Sequence, residues 1–371
     1  MGTITRRDFV LLMAVALGGM SGCLSGCATH ASGRAKELAS AFAAGSDDVR
    51  SFADDVNREI ALPAEVRRIV PSGPYAQVLL STLCPDYLIG LSSGFSAKQS
   101  DYFPSRLTDL PVLGRYYGKN ATMNYEAVIE LAPDVIVDIG ESSKGIGAAM
   151  DDLQEQSGIP CIFLKGEFGH LPSTYRALGD LTGLQERAEK LARYIEEACS
   201  FAQDHRQQIV DRDIKLMYAT GAHGYQVKAQ GTVHSTAIDL LGFNNVAVLD
   251  EANSTEVSPE QVMIWQPDVL LLSQESGFYS YIYDDATWSA ISAVRNRRVY
   301  EVPYEPYEWL DRPPSVQTVL GLQWLGNLLC PDIYDFDMVQ CAQEFFKLFW
   351  DYDLSEANAR DFLSRSTLLL G

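Results

Sequence analysis

The chain has 371 residues, 47% hydrophobic and 21% charged, which is globular material long enough for two lobes rather than one core. Its 29 Lys+Arg against 49 Asp+Glu leave a formal net charge of −20. So acidic a surface repels phosphate backbones and anionic headgroups, and nucleic acid and bare membrane are therefore poor partners.

Residues 1–27 read as an export leader in three zones. Arg6 and Arg7 form a twin-arginine pair, and Phe9 to Met20 is uncharged but too short to remain as a membrane-spanning helix. Leu24-Ser25-Gly26-Cys27 comes next and resembles a lipobox, in which small residues fit the signal peptidase and the freed cysteine takes a diacylglycerol. Met20-Ser21-Gly22-Cys23 offers the same cut four residues earlier. The leader predicts an extracytoplasmic protein held at the membrane by its lipid alone, since each buried methylene contributes roughly 0.8 kcal/mol. The five cysteines further on show no CxxC spacing and sit mostly in apolar company. They read as inert buried thiols, with Cys330 and Cys341 the nearest pair should one disulfide form.

Residues 28–56, rich in Ala, Ser, Gly and charge, read as a tether with one loose helix, and ordered structure is expected from Arg58. Alternating signals then predict an N-terminal α/β lobe over 57–182. Its strands are expected at Arg68-Ile-Val70, Tyr87–Leu91, Asp134–Asp138 and Cys161–Leu164. Residues 183–212 hold no Pro, and no Gly beyond Gly183. Leu184, Ala188, Leu191, Ile195 and Ala198 recur there at helical spacing, so one long linking helix is predicted. Residues 213–371 form the C-terminal α/β lobe, with strands near Ile214–Tyr218, Asp268–Leu272 and Arg298–Val302 and helices to the end.

An internal repeat ties the halves together. Asn124-Tyr-Glu126-Ala-Val128 leads to Pro133-Asp134-Val135, just as Ser258-Pro-Glu260-Gln-Val262 leads to Pro267-Asp268-Val269. Each copy reads as a capped short helix, a proline stop and a buried strand.

These stretches, with Leu110-Pro-Val-Leu-Gly114, Gly242-Phe-Asn-Asn-Val246 and Trp309-Leu-Asp-Arg-Pro-Pro-Ser315, resemble the ferric-siderophore, haem and cobalamin class of ABC transporter solute-binding proteins over roughly residues 57–330. The resemblance implies two Rossmann-like α/β lobes, a rigid helix joining them and a ligand in the cleft between. It also implies that Glu126 and Glu260 face the permease and meet arginines there. The local alternative is that each glutamate only complements the dipole of its helix, a gain of about 0.3–1 kcal/mol. Partners would be the permease and ATPase of an importer and a small metal chelate, with the chain itself a monomer carrying no cofactor.

Ligands of open α/β sheets sit beyond the carboxyl ends of the strands. Loops there offer Arg115 and Arg312 for bidentate contacts to an anionic chelate. Tyr75, Tyr116, Tyr117, Tyr225 and Trp309 offer flat walls and hydroxyl donors. His170, His223 and His234 could contribute, but no His, Asp, Glu and Tyr set has the spacing of a preformed metal site. A ferric siderophore is the ligand expected, with haem, cobalamin and nickel complexes as alternatives of the same fold. Catalysis has little support. Gly90-Leu-Ser92-Ser-Gly94 fits an esterase elbow, but Phe95–Pro104 reads as loop where the elbow needs a helix, and no histidine comes after His234. Gly145-Ile-Gly147 hints at a dinucleotide loop, but Met150 stands where a third glycine belongs.

Overall fold

A computed structural model describes residues 33–117, 121–249 and 256–364. The leader, with Cys23 and Cys27, lies outside the described residues. The chain divides into two compact units, one of the residues up to Gly94 with Ser105–Glu189, the other of Phe95–Pro104 with the residues from Lys190 on.

In the first unit a parallel sheet runs β3 (Ile69–Pro71), β4 (Val135–Gly140), β5 (Cys161–Lys165), paired Ile69↔Val135 and Ile136↔Cys161. These strands are near-continuous apolar runs buried along their length, as a parallel sheet covered on both faces requires. The helices that cover it are α2 (Pro74–Leu83), α4 (Ile146–Ser157) and α5 (Leu171–Thr182). Tyr87–Leu91, expected as a strand, makes only isolated bridges, Leu88 to Ile69 and Leu91 to Val112. The one-turn helix Pro85–Tyr87 uses up its start, and the two bridges go to different partners.

The stretch expected to be a tether holds regular structure. Helix α1 spans Gly33–Ala43, and β1 (Val49–Ala53) pairs antiparallel with β2 (Glu59–Pro63). Asp54, buried at the hairpin turn, ties the turn together and to β5. Its Oδ1 accepts from the amides of Val56 at 3.1 Å and Arg58 at 2.9 Å, and its Oδ2 from the amide of Phe163 in β5 at 3.2 Å.

The second unit carries the order β10 (Val299–Val302), β9 (Val269–Ser273), β6 (Lys215–Thr220), all parallel. β8 (Asn244–Asn245) adds to β6 in parallel and β7 (Gln226–Val227) antiparallel, with α7 (Thr236–Leu241) between them in the chain. The predicted long helix is present as α6, Gln185–Val210, and the chain passes from the first unit to the second within it. Its apolar stripe, Ala188, Leu191, Ile195 and Ala198, is buried. Three helices close the unit, α9 (Gln317–Leu329), α10 (Met338–Trp350) and α11 (Glu356–Leu363). Phe95–Pro104 joins them although its sequence neighbours lie in the first unit. Tyr102 meets Phe346, Tyr352 and Phe362 edge-on, and Phe103 meets Trp350 at 5.2 Å and 87°. Such edge-to-face pairs contribute about 0.5–1.5 kcal/mol each beyond area burial.

The repeat folds alike in both units. α3 (Tyr125–Glu130) is capped by Asn124, whose side chain accepts from the Ala127 amide at 3.1 Å, and α8 (Pro259–Trp265) by Ser258, which accepts from the Gln261 amide at 3.2 Å. Each helix is followed by a left-handed residue just before its proline, Ala132 at φ 45° and Gln266 at φ 42°. The aspartate after each proline then fixes the next strand to its neighbour. Asp134 Oδ2 accepts from the amides of Arg67 and Arg68 at 2.9 Å, and Asp268 Oδ2 from that of Lys215 at 3.2 Å.

Candidate functional site

The carboxyl ends of β3, β4 and β5 bring four loops of the first unit together. The Gly166 amide donates to the Gly140 carbonyl at 2.6 Å, joining the loops after β5 and β4. The Tyr75 hydroxyl donates to the Gly166 carbonyl, and its ring lies so close that a Cβ on Gly166 would stand 2.4 Å from it. The Tyr116 amide donates to the Ser72 carbonyl at 2.8 Å, which brings the Gly114–Tyr117 loop to the same edge. That loop is folded back at its base. The Arg115 carbonyl accepts from Thr122 and Met123, and Gly114, at φ 85°, leaves no room for a Cβ against the Thr122 carbonyl.

Arg115 is thereby held with its side chain exposed, making no hydrogen bond or ion pair among the described residues. Lys144, exposed on the loop after β4, is equally without such a partner. The tyrosines are less available. Tyr116 donates to the Ala149 carbonyl at 3.0 Å and packs edge-on with Tyr117 against the first unit's core. The Tyr75 hydroxyl is committed to Gly166, and burial pushes its pKa up.

Beneath these loops Asp138 is buried in β4 and accepts from the Ser72 hydroxyl. Burial pushes its carboxyl up to about 6 from an ordinary 3.8, despite the opposing pull of that hydrogen bond. A folded-state pKa that is raised contributes stability fully present below the ordinary value and lost as pH rises through about 6. The advantage of Asp138→Asn over the natural chain at pH 7 should therefore shrink by about 2 kcal/mol on acidification to pH 4. Urea unfolding followed by circular dichroism at the two pH values checks this, and a constant difference would refute it.

In the second unit the corresponding edge is built on buried acids. Glu308, fully buried in the loop after β10, accepts from the Tyr218 hydroxyl of β6 and from the Ser273 hydroxyl of β9 at 2.6 Å. Asp311, also fully buried, meets the Lys228 ammonium and accepts from His234 Nδ1, while Arg312 Nε stands 3.8 Å away. Burial alone would push the Asp311 carboxyl up, but the His234 hydrogen bond and the Lys228 charge leave it below the ordinary range. Lys228 is nearly enclosed, whereas His234 and Arg312 each keep 44% of their side-chain surface exposed. One buried carboxylate thus arranges three nitrogen groups, two of them open to solvent.

The periplasmic binding protein family model matches residues 97–306, more than half of the chain. The chain belongs to that family. The structure of an ABC transporter solute binding protein from Sulfurospirillum deleyianum is similar at TM-score 0.77 and 28% identity, covering 85% of this chain and 99% of that one. Molybdate-binding protein MolA of Haemophilus influenzae is 21% identical over 84% of this chain and 93% of its own. The vitamin B12-binding protein of Vibrio campbellii is 25% identical over 67% of this chain and 84% of its own. The protein is therefore a periplasmic binding protein, the solute-binding component of an ABC importer.

Several residues of this binding protein stand differently from their sequence reading. Trp309 is fully buried, its indole Nε1 donating to the Glu305 carbonyl at 3.0 Å, so its ring belongs to the core and offers no ligand wall. Tyr225 is half-buried and leans on Trp288, with ring centroids 5.5 Å apart. Glu126 and Glu260 are both exposed in the first turns of α3 and α8. Ser92 of the esterase-like stretch is buried, its hydroxyl donating to Gln77 Oε1 at 2.9 Å, so it serves as a loop brace. Cys84, Cys161, Cys199, Cys330 and Cys341 are free thiols, with burial pushing that of Cys84 up to about 12. Among the described residues, no helix is long and apolar enough to cross a membrane, and no group of three or more His, Cys, Asp or Glu is placed to hold a bare metal ion. Lys144 and Lys228 do not stand out in the sequence, and Asp311 lies inside the Trp309–Ser315 stretch without being singled out from it. Nothing in the local pattern of the two lysines separates them from solvated charges.

Proposed function

We propose that this binding protein, anchored through a lipid on Cys27, captures a ferric siderophore or a similar anionic iron complex and passes it to the importer's permease and ATPase. The observation that carries the reading is the placement of cations at the carboxyl ends of the parallel strands. Arg115 and Lys144 stand exposed there in the first unit, and Arg312 stands half-open beside buried Asp311 in the second. In a chain of net charge −20, cations held at these loop ends are the feature that suits an anionic, oxygen-rich ligand. The aromatic rings that the sequence offers as a flat wall are mostly committed to packing or hydrogen bonds, which weakens the case for haem or a corrinoid.

The same cations favour one second reading, a small tetrahedral oxyanion such as the molybdate named for the Haemophilus influenzae relative. Titrating the purified protein with ferric siderophores, molybdate, haem, cobalamin and a nickel–histidine complex separates them. The expected result is tight binding of a ferric chelate, weakened about 10–100-fold by Arg115→Ala through loss of a charge-assisted hydrogen bond. Binding of molybdate with none of any ferric chelate would establish the second reading instead.

A further inference from the structure

The repeat allows the two docking helices to be compared position by position. Glu126, Ile129 and Glu130 of α3 stand where Glu260, Met263 and Ile264 stand in α8. Each trio falls at i, i+3 and i+4, so it shares one helix face. On α3 the two glutamates are exposed and Ile129 packs against the first unit's core, leaving an acidic face. On α8, Glu260 is exposed, and beside it Met263 and Ile264 remain 44% and 74% exposed.

The core-facing side of α8 is filled independently of these residues. Val262 is 1% exposed and belongs to the second unit's core cluster, against which Trp265 also packs. Met263 and Ile264 are thus not core residues left half-finished. A single exposed apolar side chain needs no explanation, but two adjacent ones beside a carboxylate on one helix face mark a contact surface. In so acidic a chain, Ile264 stands where the other copy of the repeat has Glu130, and Met263 stands where it has Ile129.

We propose that the two helices dock on the importer's permease through chemically unequal contacts. The α8 face, Glu260 with Met263 and Ile264, fits a surface that places a basic residue beside an apolar recess. The α3 face, Glu126 with Glu130, fits a pair of basic residues. This rests on the reading of Glu126 and Glu260 as permease-facing and adds what surrounds each of them. Charge complementarity at the carboxylates steers and orients the encounter, whereas the apolar pair, desolvated on docking, holds the complex once formed.

The test uses the permease–ATPase complex that cross-links to this chain in its host membrane, purified and reconstituted in nanodiscs, with docking of the full unliganded chain followed by biolayer interferometry. Ile264→Ser should weaken docking at least tenfold, mostly through faster dissociation and with little change in salt dependence. Glu130→Gln should chiefly reduce the salt dependence. Thermal unfolding should be unchanged in both, since both side chains are exposed. Glu260→Lys, run in parallel, tests the underlying reading and should abolish docking. If Glu260→Lys abolishes docking while Ile264→Ser and Met263→Ser dock like the natural chain, the apolar contact is overturned and the carboxylate reading stands. If Glu260→Lys and Glu126→Lys also dock normally, the carboxylate reading falls, and the inference built on it falls too.

Discussion

Replacing Asp311 with alanine should destabilise the second unit by about 3–5 kcal/mol, the usual cost of breaking a buried ion pair from one side. The carboxylate is fully buried, and the Lys228 ammonium that meets it keeps only 10% of its side-chain surface exposed. Without Asp311 that ammonium is left enclosed with no counter-charge, and His234 loses the acceptor of its Nδ1. A second substitution, Lys228→Met, should restore most of the loss, because the enclosed orphan charge is then gone. Because Asp311 is held below the ordinary carboxylate range, its contribution is present above that range and is lost as pH falls through its lowered folded-state value. The stability difference between the natural chain and Asp311→Ala should therefore narrow on acidification. All five tryptophans, Trp265, Trp288, Trp309, Trp324 and Trp350, lie in the second unit, so urea unfolding read by their fluorescence reports that unit. Equal stability of the natural chain and Asp311→Ala at pH 7 would refute the assignment.

Trp309→Ala should cost a similar amount, about 3–5 kcal/mol, as truncation of a fully buried aromatic does. The backbone packs around this residue as tightly as the ring does. A Cβ on Gly321 of α9 would stand 2.0 Å from the Trp309 carbonyl, so the loop lies directly on the helix. Trp309→Phe keeps most of the ring volume and loses only the hydrogen bond to Glu305, so it should remain folded and bind ligand with unchanged affinity. A large loss of affinity in a folded Trp309→Phe protein would return the residue to the binding surface.

The sequence announced the parallel strands because burial on both faces demands uninterrupted apolar runs, as in Val135-Ile-Val137 and Val269-Leu-Leu-Leu272. The 26-residue helix was equally legible, since a long stretch free of Gly and Pro with apolar residues at helical spacing has few other solutions. The repeat foretold two capped helices down to their cap residues. What escaped depends on contacts far apart in sequence. The β1–β2 hairpin is fixed by Asp54 reaching the Phe163 amide, and Phe95–Pro104 is claimed by aromatic residues beyond position 340. At the site, Arg115 stood out because a glycine and two tyrosines flank it in a loop. The Asp311 cluster did not, because Lys228, His234 and Asp311 meet only once three separate loops have folded. Trp309 misled for a related reason. It lies in a loop beyond the carboxyl end of a strand and so read as a flat wall for a ligand, yet the loop turns the ring inward.

The most direct measurement of the central claim is the identity of the natural cargo. The protein, recovered from iron-limited cells in which it is made and kept under native conditions, would be weighed by native mass spectrometry, with its metal content measured by inductively coupled plasma mass spectrometry. The account predicts one iron per chain, carried in an anionic organic chelate that is released on denaturation. Molybdenum, cobalt or nickel in place of iron would contradict it.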